Sequence, residues 1–302
     1  MRLSRRDMIL SGLGLGVAFA AGPRLARANW AVPSTFGVAP AGGTVDQTSM
    51  LQDAIDAAAA SGALLFLPPG IYSTRRLELR SRTHLTGMPG KSILRYRDGG
   101  GGLIGVEQAA DIRLDGLVLD GGGRDMGIGG ALFAATMVER LQLSSCRFLR
   151  SGSGAILVSR SENVIIAGNM IDRAATGIAV ANGSKACEPV RIKGNLVRNL
   201  FFRKTALFHG NGIAVEADAI VTGNVVENAP GFGILVGRDV RDVSITKNDI
   251  RNAHIGIGIP AAIAETAPIA DNRISDVKDG AIRAMSGPMP VGPDLAHPRA
   301  MS

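Results

Sequence analysis

Four charged residues that follow two neighbouring apolar segments are the first candidates for chemistry. Glu216 and Asp218 come after one segment, and Arg238 and Asp239 come after the next. If the two segments are stacked strands, Asp218 lies over Asp239. Two carboxylates one strand apart repel each other unless a cation or an arginine lies between them. This arrangement predicts either a bound ion or an arginine that compensates the charge.

The cluster therefore has two interpretations. In the first, Asp218 and Asp239 bind Ca²⁺ or take part in a ligand-binding site, with His209 supplied by a neighbouring long loop. In the second, the surface is solvated and Arg238 neutralises its neighbours. We favour the second interpretation, so no cofactor is predicted, and Ca²⁺ remains the alternative.

A second run of acidic residues lies earlier in the chain. Its last part contains Asp120-Gly121-Gly122-Gly123, a composition typical of a tight corner. We therefore assign the run a structural role. Its members are Asp111, Asp115, Asp120 and Asp125.

The elements that carry these residues form a repeat. Six segments of alternating apolar residues align, and each contains one corner residue. The segments are 141–148, 164–171, 190–197, 219–226, 243–250 and 267–274. The corner residues are Cys146, Asn169, Asn195, Asn224, Asn248 and Asn272, spaced by 23, 26, 29, 24 and 24 residues.

A second short strand follows each of these segments and begins at a glycine. These glycines are Gly154, Gly177, Gly212, Gly233, Gly256 and Gly280. No intervening stretch has the length and periodicity of a crossover helix, which excludes a doubly wound sheet or a TIM barrel. The repeat predicts an all-β solenoid, a parallel β-helix whose coils stack at about 4.8 Å.

The corner asparagines have a predicted structural role. Stacked on each other, Asn169, Asn195, Asn224, Asn248 and Asn272 should form a ladder of amide hydrogen bonds. Because asparagine tolerates the left-handed backbone conformation, we expect these residues to adopt it. Two longer repeats, with extra residues at 182–189 and 200–211, should form loops on one face.

The N-terminal half contains one helical pattern, between Gln47 and Ser61. Its apolar residues lie on one side of a helix. A solenoid needs its open end covered, so we expect this helix to be an N-terminal cap.

The first 28 residues resemble a twin-arginine signal peptide. Arg5 and Arg6 precede a short apolar stretch, and Ala26 and Ala28 flank a small-x-small cleavage site. This predicts export by the twin-arginine translocon to the periplasm or the medium, with no stable membrane span after cleavage. An uncleaved N-terminal anchor is the alternative.

The segment also explains most of the charge, since it carries four of the seven net positive charges. The remainder shows no stripe of Lys and Arg, so we expect no nucleic-acid partner. The two cysteines, Cys146 and Cys187, do not make a disulfide framework. We expect Cys146 to pack at a corner and Cys187 to lie in a loop.

Three N-terminal segments carry a family resemblance. These are 36–38, the helical segment 51–58 and Leu65-Phe66-Leu67-Pro68-Pro69-Gly70-x-Tyr72. In this order they resemble the opening of pectate-lyase-like β-helix proteins, which implies a right-handed helix. With the signal peptide, the chain resembles a family of twin-arginine-translocated repetitive proteins of unassigned activity.

The superfamily's catalytic residues do not carry over. Polygalacturonases of this kind use paired acids beside the second strand, and the matching positions here are 151–153, 175–176 and 230–232, which hold no acid. Phe208-His209-Gly210 resembles their histidine turn but lies in an insertion. Pectate lyases need Ca²⁺ and a basic residue, whereas the outward positions Ala179, Ala214, Leu235 and Gly258 make a smooth, uncharged floor.

The sequence thus predicts three parts: a signal peptide at 1–28, a β-helix domain at 29–285 and an irregular tail at 286–302. The tail either folds over the last coil or ends a shortened version of a longer repeat array. We expect an exported protein that recognises or processes an acidic envelope or extracellular polysaccharide, as a lyase or a glycoside hydrolase if it is an enzyme. The alternative is a non-catalytic structural or binding solenoid.

Overall fold

The computed structural model describes residues 30–31, 38–127, 129–181, 188–202, 210–238 and 240–286. The chain is nearly all β and winds into a right-handed parallel β-helix with one helix at its N-terminal end, which confirms the predicted fold class. The elements are β1 (Trp30–Ala31), α1 (Thr48–Ser61), β2 (Leu64–Leu67), β3 (Gly70–Thr74), β4 (Leu77–Leu79), β5 (His84–Gly87), β6 (Ser92–Tyr96), β7 (Ile104–Asp115), β8 (Val118–Asp120), β9 (Ala131–Ser144), β10 (Arg147–Leu149), β11 (Gly154–Ser159), β12 (Glu162–Ala167), β13 (Met170–Asp172), β14 (Thr176–Ala181), β15 (Val190–Lys193), β16 (Leu196–Arg198), β17 (Ile213–Glu216), β18 (Ala219–Thr222), β19 (Val225–Val236), β20 (Val243–Thr246), β21 (Asp249–Pro260), β22 (Ile269–Ala270), β23 (Arg273–Ser275) and β24 (Ile282–Met285).

Parallel pairing between successive coils builds three faces around the core. Face A stacks β4, β7, β9, β11, β14, β17, β19, β21 and β24. Face B stacks β2, β5, β7, β9, β12, β15, β18, β20 and β22. Face C stacks β3, β6, β8, β10, β13, β16, β19, β21 and β23. We call the turn from face C into face A of the next coil corner CA.

Close packing between coils explains the glycines near the start of the face A segments. A Cβ at Gly177, Gly212, Gly233 or Gly256 would lie 2.3–2.7 Å from a carbonyl oxygen of the next coil. Gly154 and Gly280 each lie one residue before the position of these four glycines. Ile156 pairs with Ile178, and Ile257 with Ile282, so alanine occupies the glycine position in those two coils.

The amide ladder runs through the corner between faces B and C. The Nδ2 of each asparagine donates to the Oδ1 of the next, at 2.9–3.0 Å from Asn169 to Asn272. Each Nδ2 also donates to a backbone carbonyl in the preceding coil, such as that of Ile166 for Asn195. Cys146 is 1% exposed and occupies the ladder position of its coil, where its backbone N–H donates to Asn169 Oδ1.

The expected left-handed conformation of the ladder asparagines is wrong. Positive φ occurs instead at the residue before the ladder position in each coil: Gly116, Ser145, Gly168, Gly194, Gly223, Lys247 and Asp271. The preceding residue makes the turn, and this leaves the asparagine side chain directed inward, where it can align with its neighbours along the helix axis.

The helix α1 covers the first coil and also completes its hydrogen bonds. Leu51, Ala54 and Ile55 are buried against the core. The amide of Gln52 accepts from the backbone N–H of Glu78 at 2.9 Å and donates to its carbonyl at 2.8 Å, as a neighbouring strand would. Within the described residues, no helix is both long and apolar enough to cross a bilayer.

Face C carries a column of outward charges that alternate in sign. Asp172, Arg198, Glu227 and Arg251 are register partners in four successive coils. Arg198 Nη2 lies 3.0 Å from Asp172 Oδ2, and Arg251 Nη1 lies 3.5 Å from Glu227 Oε1. Opposite charges on adjacent strands stabilise this stacking register.

Candidate functional site

The acidic residue Asp218, a Ca²⁺ ligand in the alternative interpretation of the sequence, is engaged in a turn. Its Oδ1 accepts the backbone N–H groups of Arg241 and Asp242, both at 3.0 Å. Arg238 is exposed to solvent. The other proposed partners, His209 and Asp239, lie outside the described residues, as do Arg5, Arg6, Ala26, Ala28 and Cys187.

The part of the chain that the structure describes contains no group of three or more His, Cys, Asp or Glu side chains placed to hold a metal ion. One carboxylate oxygen of Asp218 accepts two backbone N–H groups, so this side chain stabilises the turn. A Ca²⁺ site at Asp218 and Asp239 stays the alternative interpretation.

The outward side chains of face A, expected to make a smooth, uncharged floor, form a packed layer. Leu157, Ala214 and Leu235 are at most 1% exposed. The ring of Phe232 lies over Gly258. A Cβ atom added at Gly258 would be only 2.6 Å from this ring. The layer is uncharged, as expected, but it is not accessible in the way that a substrate cleft requires.

A polar cavity lies at corner CA in the first coils. It has a volume of about 530 Å³. Four arginine residues line it, together with Thr44, Ser73 and Asp98. We call it the arginine pocket, and its arginines are Arg95, Arg97, Arg124 and Arg150.

A single buried carboxylate fixes two of these arginines. The Asp120 side chain is 5% exposed and lies between Arg95 and Arg150. Arg150 Nε donates to Asp120 Oδ1 at 2.9 Å while its Nη2 donates to Oδ2, and Arg95 Nε donates to Oδ2 at 3.3 Å. The backbone N–H of Gly122 donates to Oδ1 at 3.0 Å. The carboxylate of Asp120 thus holds the guanidinium groups of both Arg95 and Arg150.

The protonation state of Asp120 follows from these contacts. Burial alone would raise the pKa of this carboxyl. The hydrogen bonds from Arg150 and Gly122, and the charges of Arg150 and Arg95, outweigh burial and hold the pKa below its usual range. Asp120 is therefore a carboxylate at neutral pH and has no proton to give to a leaving group.

The pocket keeps an excess of positive charge. Arg97 Nη1 donates to the carbonyl of Thr44 at 3.1 Å, and the described residues give Arg124 no salt bridge. The Arg95 and Arg150 side chains are 36% and 47% exposed. Because guanidinium groups bind carboxylates with paired hydrogen bonds, this pocket suits an anionic ligand with several oxygens.

The arginine pocket was not predicted from the sequence. Its arginines come from three different coils, so they form no run or stripe along the chain. The available signal was their position, since Arg97, Arg124 and Arg150 all follow a strand of face C. The assignment of Asp120 to a corner was correct in place, but its role in holding two arginines was not foreseen.

Residues 32–258 match the family model described as Rhamnogalacturonase A/epimerase, pectate lyase-like. The chain belongs to this family. No curated protein sequence matches the chain.

A solved structure resembles this member of the rhamnogalacturonase A/epimerase family in fold. A hyperthermoactive exopolygalacturonase from Thermotoga maritima aligns with a TM-score of 0.58 at 14% identity, over 84% of this chain and 75% of that one. The A-module of an Azotobacter vinelandii mannuronan C-5 epimerase aligns with a TM-score of 0.36 at 17% identity, over 86% and 98% of the two chains.

Proposed function

We propose that this protein binds an acidic polysaccharide, whose carboxylate groups are held in the arginine pocket. The observation that carries the proposal is the set of four arginines around one cavity, two of them anchored by Asp120. Uronic acid units present a planar carboxylate beside hydroxyl groups, which fits guanidinium groups next to Thr44 and Ser73. Membership of a pectate-lyase-like family supports a polymer of uronic acids as the ligand.

Processing of the same polymer is the second candidate, and the family's description favours it. Hydrolysis needs a protonated acid beside a second carboxyl group. In the arginine pocket the buried carboxylate Asp120 is ionised and occupied by Arg150, and Asp98 lies 3.8 Å from Arg75. These contacts favour binding without hydrolysis at this pocket.

The test is a calorimetric titration of the full chain with polygalacturonate and with neutral dextran. We expect binding to polygalacturonate alone, weakened by added salt because surface charges are screened. Arg124→Gln should weaken it by roughly tenfold, the equivalent of one charge-assisted hydrogen bond. Arg160→Gln is the matched control, since Arg160 is exposed at a different corner.

Equal binding by the Arg124→Gln and Arg160→Gln variants would refute the assignment to the arginine pocket. Release of reducing ends or of unsaturated uronate during the same incubation would show processing. Repeating the incubation with Ca²⁺ and with a chelator tests the Ca²⁺ alternative.

We also propose that the twin-arginine signal exports the protein to the periplasm or the medium. The sequence Ser4-Arg5-Arg6-Asp7 and the apolar stretch after it support this proposal. Replacing both Arg5 and Arg6 with lysine should leave the full-length chain in the cytoplasm. Replacing Arg24 and Arg27 with lysine is the control, and it should leave export intact in a cell fractionation.

A further inference from the structure

A second cavity lies on the same corner as the arginine pocket, several coils further on. Its volume is about 290 Å³, near the lower end of the range of roughly 300–1,000 Å³ for small-molecule sites. We call it the asparagine pocket. Its polar and apolar lining includes Leu200, Asn228, Pro230, Asn252, His254 and Lys278.

Strand register places the two pockets in one line. Leu149, Asp172 and Arg198 are register partners on face C, and Arg150 and Leu200 each follow that face in their own coil. Arg150 and Leu200 are thus two coils apart, or about 10 Å at the strand spacing. From centre to centre the pockets are five coils apart, roughly 24 Å. A single sugar cannot touch both, whereas an extended polymer can.

A column of exposed amides leads into the asparagine pocket. Asn199, Asn228 and Asn252 have φ of 56°, 58° and 52°, so this column holds its asparagines in the left-handed conformation. Asn228 Nδ2 donates to Asn199 Oδ1, and Asn252 Nδ2 donates to Asn228 Oδ1, both at 2.8 Å. Asn199 Nδ2 in turn donates to Asp172 Oδ1 at 2.9 Å.

The chemistry of this column differs from that of the buried ladder. An amide side chain has two donor hydrogens and an acceptor oxygen with two lone pairs, and the column uses only part of this capacity. The remainder faces solvent, next to His254 and Lys278. Phe201 and Phe202, directly after Leu200, are 38% and 62% exposed. The amides and the imidazole that line the pocket together suit a ligand rich in hydroxyl groups.

We propose that the asparagine pocket binds the hydroxyl groups of the same polysaccharide whose carboxylates the arginine pocket binds, so that the polymer lies along corner CA parallel to the helix axis. This inference rests on the proposed function. It assigns a direction and a length to the ligand. Two linked contacts raise affinity only for a chain long enough to reach both pockets.

The experiment compares a galacturonate monomer with an oligogalacturonide long enough to span both pockets, each titrated into the full chain. The test variant carries Asn228→Gly and Asn252→Gly, because glycine keeps the left-handed backbone and removes the amides. The control variant carries Thr222→Ala and Thr246→Ala, which removes an outward hydrogen-bonded pair on face B with an O–O distance of 3.1 Å. Thermal unfolding checks that both variants fold.

We expect the long oligomer to bind more tightly than the monomer. The Asn228→Gly/Asn252→Gly variant should lose roughly tenfold in affinity for the long oligomer, the equivalent of one or two net hydrogen bonds. Its affinity for the monomer should not change, and the threonine control should match the unaltered chain with both ligands.

Two results separate the inference from the proposed function. If the asparagine variant binds the long oligomer as tightly as the unaltered chain while Arg124→Gln weakens it, the inference is wrong and the arginine pocket stands. A methyl-esterified, uncharged oligomer gives the opposite case. If it binds as tightly as the acidic one, and only the asparagine variant weakens it, the asparagine pocket stands and the proposed role of the arginines is wrong.

Discussion

The side-chain Nδ2 of Asn195 lies 2.9 Å from Oδ1 of Asn224, one coil further along the helix, and both residues are at most 1% exposed. Asn195 Oδ1 in turn accepts the backbone N–H and the Nδ2 of Asn169. Each ladder asparagine thus satisfies buried groups in the coils on both sides, and its removal is felt in three coils at once.

Replacing Asn195 with alanine should therefore lower the free energy of unfolding by about 2–4 kcal/mol, since the backbone N–H of Asn169 and the carbonyl of Ile166 lose buried partners. Equilibrium denaturation measures the change. Asn252→Gly in the exposed column is the control and should stay within about 0.5 kcal/mol. Similar values for the two variants would contradict a structural role specific to the buried ladder.

Asp120→Asn should destabilise the fold at neutral pH by about 1–2 kcal/mol, because the charge between Arg95 and Arg150 is lost. The pKa of Asp120 is lowered in the folded state, so its contribution is present above the unfolded value of about 3.9 and is lost as pH falls through the folded pKa. Denaturation curves over a pH series give the free energy of unfolding of the unaltered chain and of the Asp120→Asn variant. The difference between the two values should disappear in acid. A difference that is constant with pH would rule out the ion pairs as its cause.

Lys247 has a φ of 56° at the turn before Asn248, where most other coils have glycine. Lys247→Gly should raise the free energy of unfolding by up to about 1 kcal/mol, by relieving the left-handed strain. Gly194→Ala should lower it by about 1 kcal/mol. At Gly194, φ is 63° and nothing lies within 4 Å of an added Cβ, so the cost is in the backbone alone. We therefore expect the two substitutions to shift the midpoint of thermal unfolding in opposite directions.

The thiol of Cys146 should be unreactive in the folded chain. Burial raises its pKa to about 12, so almost no thiolate is present at about pH 8. In a Cys187→Ser background, a thiol reagent should label Cys146 only after denaturant is added. Rapid labelling of the folded chain would show that the corner opens.

The sequence predicts the fold well because each coil repeats the same local pattern. Asn169, Asn195 and Asn224 recur at similar spacing, and α1 has an apolar side, so both the stacking and the cap follow from the chain itself. Details that depend on the neighbouring coil are harder to predict from the sequence. Alanine at 155 and 281 in the glycine position shifts the apparent alignment by one residue, and the left-handed turn lies at Gly194 and not at Asn195.

The candidate site was not predictable in the same way. Arg95 lies before the first of the six aligned segments and Arg150 lies just after it, and their relationship depends on Asp120, which the sequence pattern places at a corner. Asp218 shows the converse, since its place beside a strand raised Ca²⁺ binding as an alternative, and the structure adds a contact that the sequence does not indicate, with the turn at Arg241 and Asp242. Spatial convergence of distant residues is a property of the stacking and has no signature along the chain.

The alternating charges of face C also bear on how such a chain can change its length during evolution. Repeat arrays gain and lose units by recombination between similar coils. Loss of the single coil that carries Arg198 would bring Asp172 against Glu227, two like charges on adjacent strands. Loss of two consecutive coils, those of Arg198 and Glu227, would bring Asp172 against Arg251 and preserve the alternation. The column therefore favours changes of two coils at a time in this part of the molecule.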